Sequence, residues 1–144
     1  MQNTQNHQLL FNSFEYALFI VDVTGPVGLA NDLGVLYKLL GYYSKAEQRY
    51  QQALEIREKA LGPKHPDIAN NFNNLGSLFT SQGLYSKAEN AYLRVLKIAE
   101  TTFGPEHPVT AIVVDNLAVL YHSQGLLTKA EPLYLSSLEI RKKL

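Results

Sequence analysis

"LGPKHPDIANNFNNLGSLFTSQGLYSKAEN" (residues 61–90) and "FGPEHPVTAIVVDNLAVLYHSQGLLTKAEP" (residues 103–132) are two versions of one pattern. A shift of 42 residues lays 61–102 on 103–144 with 19 identities in 42 positions and no gap. The same shift lays 27–60 on 69–102 with 14 identities in 34, among them Leu33/Leu75, Gly41/Gly83, Ala46/Ala88, Tyr50/Tyr92 and Ile56/Ile98. A period of this length belongs to stacked supersecondary elements, each burying an apolar face against its neighbours. The chain therefore divides into repeats at 27–60, 69–102 and 111–144, linkers at 61–68 and 103–110, and an N-terminal segment of residues 1–26.

Each repeat carries two helical patterns. In the second repeat Leu75, Leu78 and Phe79 recur at helical spacing, and the pattern stops at Gly83, a residue suited to a helix end that needs a positive φ. "SKAE" at 86–89 then reads as a capping box, with Ser86 capping and Glu89 reaching back to a free backbone donor; "SKAE" at 44–47 and "TKAE" at 128–131 repeat it. The second helices carry the apolar stripe Ala88, Tyr92, Val95, Leu96 and Ala99, matched in the first repeat by Ala46, Tyr50, Ala53 and Leu54. Pro132 falls early in the last of these helices, where it removes one backbone bond.

The linker "GPxHP" joins the second helix of one repeat to the first helix of the next. Gly62 and Gly104 turn the chain, Pro63 and Pro105 stop the preceding helix, Pro66 and Pro108 suit the first helical position, and His65 and His107 fall at or beside the N-cap. Those histidines lie one repeat apart, about 15–20 Å at 8–10 Å per helix contact, too far to share a metal ion.

Thirteen Lys plus Arg balance thirteen Asp plus Glu, so the formal charge is zero and no cationic surplus offers itself to nucleic acid. The absence of cysteine removes disulfides, thiolate nucleophiles and Cys-ligated zinc, and fits a cytoplasmic protein. The most apolar run, Tyr16 to Val23, is too short to span a bilayer and contains Asp22. No Lys or Arg precedes Lys38 to begin a secretory leader. His7 and His122 read as surface histidines, and Glu47, Glu89 and Glu131 are absorbed by helix starts. Glu55 with Lys59 and Glu139 with Lys143 are i,i+4 pairs of solvated faces. With no nucleophile beside a base and no convergent ligands, neither enzyme activity nor a metal or cofactor is expected.

The repeats resemble tetratricopeptide repeats, and the 42-residue spacing with "GPxHP" linkers is similar to the kinesin light chain kind. The matching residues are Leu33, Gly34, Tyr37, Gly41, Ala46, Tyr50 and Ala53; Leu75, Gly76, Phe79, Gly83, Ala88, Tyr92 and Val95; and Leu117, Ala118, Tyr121, Gly125, Ala130, Tyr134 and Ser137. The resemblance implies an all-α, right-handed helical-hairpin solenoid of about three repeats whose first helices line a concave groove that binds peptides. Residues 1–26 depart from the pattern: "YALFI" loosely echoes "QQALEI", so the segment reads either as a degenerate half-repeat helix or as an irregular tail.

Asparagine recurs on the first helices, where helix propensity does not favour it: Asn31 beside Asp32, "NNFNN" at 70–74, and Asp115 beside Asn116. Its amide offers both donors and acceptors to an extended backbone. By helical spacing the expected groove holds Asn31, Val35, Lys38, Asn70, Asn73, Asn74, Ser77, Thr80, Asp115, Asn116, Val119 and His122. The alternative role for Asn74 and Asn116 is to lock neighbouring repeats together. With Lys38 its only Lys or Arg, this face is not expected to clamp the terminal carboxylate of a chaperone tail. The expected function is a scaffold holding a peptide of a protein partner; the other reading is a module that stacks on itself or a piece of a longer array. Leu133, Leu135, Leu138, Ile140 and Leu144 cannot all face inward from the last helix, which points to self-association there or to truncation.

Overall fold

The computed structural model describes residues 26–143. Among them lie six helices and no strand: α1 (Pro26–Leu39), α2 (Tyr43–Leu61), α3 (Ile68–Ser81), α4 (Tyr85–Phe103), α5 (Pro108–Ser123) and α6 (Leu127–Lys142). The all-α helical-hairpin array expected from the repeat is what forms. Of the N-terminal segment only Pro26 is described, opening α1; the two readings of residues 1–26 otherwise lie outside the described residues. No described helix is long and apolar enough to cross a membrane. The chain divides into two compact units within α2, between Ile56 and Arg57.

In each repeat the turn between the paired helices is a glycine motif. Gly41, Gly83 and Gly125 have φ of 80°, 74° and 76°. At Gly83 the Leu84 amide donates to the Phe79 carbonyl at 2.8 Å and the Gly83 amide to Thr80 at 3.0 Å, the paired bonds of a Schellman ending. Gly41 and Gly125 repeat both bonds.

This tight turn overturns the capping-box reading. The Leu84 carbonyl already accepts from Ala88 at 3.0 Å, so α4 starts at Tyr85 and Ser86 is its second residue; neither α4 nor α6 has a side-chain cap. α2 likewise starts at Tyr43, before Ser44. Glu89 and the lysines of the motif have other partners. Glu89 accepts a hydrogen bond from the Tyr121 hydroxyl at 2.9 Å, tying α4 to α5. Lys45, Lys87 and Lys129 lie over the rings of Tyr37, Phe79 and Tyr121 at 5.7, 5.4 and 5.5 Å, one cation on the first-helix aromatic of each repeat.

Of the linker histidines, His107 caps its helix, and His65 makes the equivalent bond within the turn that precedes α3. His107 is the extended N-cap of α5, its Nδ1 accepting from the Val109 amide at 3.1 Å, with Pro108 as the first helical residue. His65 Nδ1 accepts from the Asp67 amide at 3.1 Å in the same way. α3 begins later than its proline suggests, at Ile68, because three-residue bonds from Ile68 to His65 and from Ala69 to Pro66 wind the preceding turn tightly. Asparagine supplies the same acceptor at a helix start. Replacing His65 and His107 by Asn should therefore change the stability measured in urea by less than about 0.5 kcal/mol. A larger loss would mean that the imidazoles do more than cap.

In the first compact unit, Ala30, Leu33 and Tyr37 of α1 and Ala46, Tyr50, Ala53 and Leu54 of α2 are buried. In the second, Val95 and Ala99 of α4 and Val113 of α5 form a core against which Ala69, Phe72 and Leu96 pack, joining two repeats. Pro132 is accommodated as the sixth residue of α6, and the helix runs through it. One surface pair differs from expectation: Lys143 bonds Glu106 of the linker at 2.7 Å, and Glu139 instead meets Lys142 at 3.6 Å. The Lys143 bond holds the Glu106 carboxyl below its ordinary range, and Glu106 raises the Lys143 ammonium. The pair's contribution is thus lost as pH falls through the lowered carboxyl value, and again as it rises through the raised ammonium value.

Candidate functional site

The expected groove residues occupy corresponding positions on three first helices. On α1, in the first compact unit, Val35 is exposed while Asn31 and Lys38 are half-buried. On α3, in the second unit, Asn70 is exposed and Asn73, Asn74, Ser77 and Thr80 are half-buried. On α5, in the same unit, Val119 and His122 are exposed and Asp115 and Asn116 half-buried. Spacing of three, four and seven residues puts each set on one face of its helix.

Thr80 and Asp115 are engaged within the fold. Thr80 Oγ1 donates to the Gly76 carbonyl at 2.8 Å, one turn back on its own helix. Asp115 is ion-paired with Arg141 of α6. The Asn73 Oδ1, by contrast, is shielded and has no hydrogen-bond partner among the described residues.

The run "NNFNN" splits by helical geometry. Asn71, with 0% of its surface exposed, faces the core on the stripe of Ile68 and Leu75. Its Oδ1 accepts from Arg57 Nη1 at 2.8 Å, and the same nitrogen donates to the Asp67 carbonyl at 3.1 Å. Asn71 thus fastens the end of α2 to the start of α3. Its neighbours Asn70 and Asn73 lie on the other face.

Ile112, which the asparagine pattern does not include, takes the register position of Asn70 on this face. It is 53% exposed on α5, one turn before Asn116, with Val119 at 52% one turn after. The positions one repeat earlier carry Asn70 and Ser77, so the fold itself does not require apolar side chains there. The signal available was that mismatch in register: a branched apolar residue at a position polar in the preceding copy.

Three phenols have raised pKa values. Burial pushes up Tyr50 and Tyr92, with a Thr80 hydrogen bond pulling Tyr92 the other way, and Tyr121 is pushed up by burial and then by Glu89. These shifts follow from packing between helices and mark no group poised for chemistry. Among the described residues no group of three or more His, Cys, Asp or Glu side chains could hold a metal ion.

Paired helices in register, glycine turns and a polar first-helix stripe define a helical-hairpin repeat array. The tetratricopeptide repeat family matches residues 27–101 and 81–143, and the chain belongs to that family. No curated protein matches it. Among solved structures it is similar to BtubC (BKLC) from P. vanneervenii, with 26% identity and a TM-score of 0.77 over 99% of this chain and 59% of that one. It also shares its fold with the nearly identical TPR-like repeats of a Podosopora anserina putative kinesin light chain, with 21% identity and a TM-score of 0.77 over 99% of this chain and 70% of that one. A point-substituted form of those repeats aligns at 22% identity and a TM-score of 0.71, over 85% and 58% of the two chains. The chain thus spans 59% of BtubC's length. A fold of this family is a scaffold for contacts between proteins.

Proposed function

We propose that the array holds an extended segment of a partner protein along its first helices, by amide contacts to the segment's backbone and by apolar contacts to its side chains. The observation that carries this reading is the exposure of Ile112 and Val119 at positions where the preceding repeat has Asn70 and Ser77. Two branched apolar groups exposed on one helix face, without structural need, support contact with a partner there. They lie seven residues apart, about 10 Å along the helix, a span that three or four extended residues bridge. Asn116 between them, and Asn70 and Asn73 on α3, supply donors and acceptors to a backbone without reading its side chains closely.

The test is selection of binders from a phage-displayed peptide library, followed by affinity measurement. The double variant Ile112→Asn with Val119→Ser installs the residues of the preceding repeat, so it should fold with an unchanged urea midpoint. Its affinity for selected peptides should fall at least about tenfold, or 1.4 kcal/mol. Asn73→Ala with Asn116→Ala should weaken binding similarly. Enrichment of no peptide, or equal binding by both variants, would remove the reading.

A second reading rests on Leu138. In the preceding repeat Leu96 packs against the inter-repeat core, and in the first repeat Leu54 is buried, yet Leu138 is 49% exposed on α6 beside exposed Tyr134 and Leu135. We infer that this face takes a second copy of the chain, driven by apolar burial at about 25 cal/mol per Å². Light scattering over a wide concentration range should show mass rising with concentration, and Leu135→Glu with Leu138→Glu should abolish the rise. A parent that stays monomeric throughout would contradict self-association.

A further inference from the structure

We propose that the cleft between the Pro63–Lys64 turn and α4 is a second binding site, built for a phosphorylated side chain of a partner segment. The cleft has a volume of about 350 Å³ and is lined by Pro63, Lys64, Arg94, Lys97, Ile98 and Thr101. Three cations and no carboxylate line it, in a chain whose net charge is zero. None of the three forms an ion pair with a described residue, and the Arg94 guanidinium lies over the Phe72 ring, 5.1 Å from its centroid. The ring steadies the arginine without neutralising it.

The repeat shows that the fold does not require these charges. One repeat later, Lys64, Arg94, Lys97 and Thr101 become Glu106, Ser136, Glu139 and Lys143. There the chain closes the place itself, with Lys143 bonded to Glu106 at 2.7 Å. In the first repeat the positions of Arg94 and Lys97 carry Gln52 and Glu55. Among these positions the second repeat collects cations and omits the acid, which leaves room for an acid from outside.

Three cations match a phosphomonoester better than a carboxylate. A phosphoryl group brings close to two negative charges and three acceptor oxygens, and an arginine fork can engage two of those oxygens. A carboxylate would neutralise one of the three. The cleft exceeds the needs of a bare phosphate ion, and Pro63 and Ile98 offer apolar contact to the residues beside the modified one. The site stands on the second-helix side of its repeat, away from the stripe of Asn70, Asn73 and Ser77, so it is independent of the first-helix reading.

The experiment uses fluorescence anisotropy with a short peptide carrying one phosphoserine between aliphatic residues, its unphosphorylated form, and inorganic phosphate as competitor. The phosphopeptide should bind at least about tenfold tighter than the unmodified form, and added salt should weaken it. The triple variant Lys64→Glu, Arg94→Ser and Lys97→Glu carries the third repeat's residues at these positions. It should lose binding while staying folded, with only a small fall in the urea midpoint from the lost Arg94–Phe72 contact, and Arg94→Gln alone should lose about threefold. Ile112→Asn with Val119→Ser should leave phosphopeptide binding as it was. Equal affinity for both peptide forms, or retention of binding by the triple variant, would overturn the proposal. So would binding only to phosphatidic-acid vesicles and not to the phosphopeptide, which would make the cations a membrane contact.

Discussion

Gly76→Val should destabilise the protein by about 2–3 kcal/mol in urea, mostly by overpacking. A Cβ at Gly76 would lie 2.8 Å from Cε1 and Cζ of Tyr92, and one at Gly34 would collide with Cε1 of Tyr50. In both repeats the glycine lets the tyrosine ring of the second helix rest on the backbone of the first. The third repeat carries Ala118 at this place, and there Tyr134 is 39% exposed instead of folded in. That natural variation sets the scale for the milder change. In Gly76→Ala, a helix-propensity gain of about 1 kcal/mol offsets the partial loss of Tyr92 packing, leaving the variant close to the parent. Valine's two further methyl groups exceed what ring movement can absorb. Adding Tyr92→Ala to Gly76→Val should relieve the clash, so the double variant should lose about 1–2 kcal/mol less than the sum of the single changes. Strict additivity would show that the glycine–tyrosine contact is not what limits this position.

Asn71→Ala should cost about 2 kcal/mol, since hydrogen bonds to charged groups contribute about 1.5–3 kcal/mol. Arg57 would lose its side-chain acceptor while keeping the Asp67 carbonyl, and the link between α2 and α3 would slacken. Arg57 is itself half-buried and recovers part of the loss by hydration, which keeps the figure from rising further. Asn70→Ala and Asn73→Ala should change stability by less than about 0.5 kcal/mol. Asn70 is exposed, and the Asn73 oxygen has no bond among the described residues to lose. Equal destabilisation by all three changes would mean that the first-helix amides serve the stack and not a ligand.

The repeat, its helices and the His107 cap were legible because each depends on local chemistry recurring at a fixed interval. Gly83 marked a helix end correctly because only a residue tolerant of positive φ closes that turn cheaply. "SKAE" misled because a capping box and a second-helix surface ask for the same residue types. The choice between them depends on how tightly the preceding turn closes, and on Tyr121, which lies 32 positions from Glu89. Asn71 was missed as the locking residue because its partner, Arg57, lies in the preceding helix. Asn116, Asn73 and Val119 were legible as a stripe, but the commitment of Asp115 to Arg141 was not, since it joins two helices across a turn. Ile112 was visible only by comparing its register position with Asn70.

The most direct measurement of the central claim is backbone amide shift mapping by NMR with a library-selected peptide at saturating concentration. Binding along the first helices predicts the largest shifts from Asn70 to Thr80 on α3 and from Ile112 to His122 on α5, with little change on the outer faces of α4 and α6. Shifts confined to α4 and α6, with α3 and α5 silent, would contradict it.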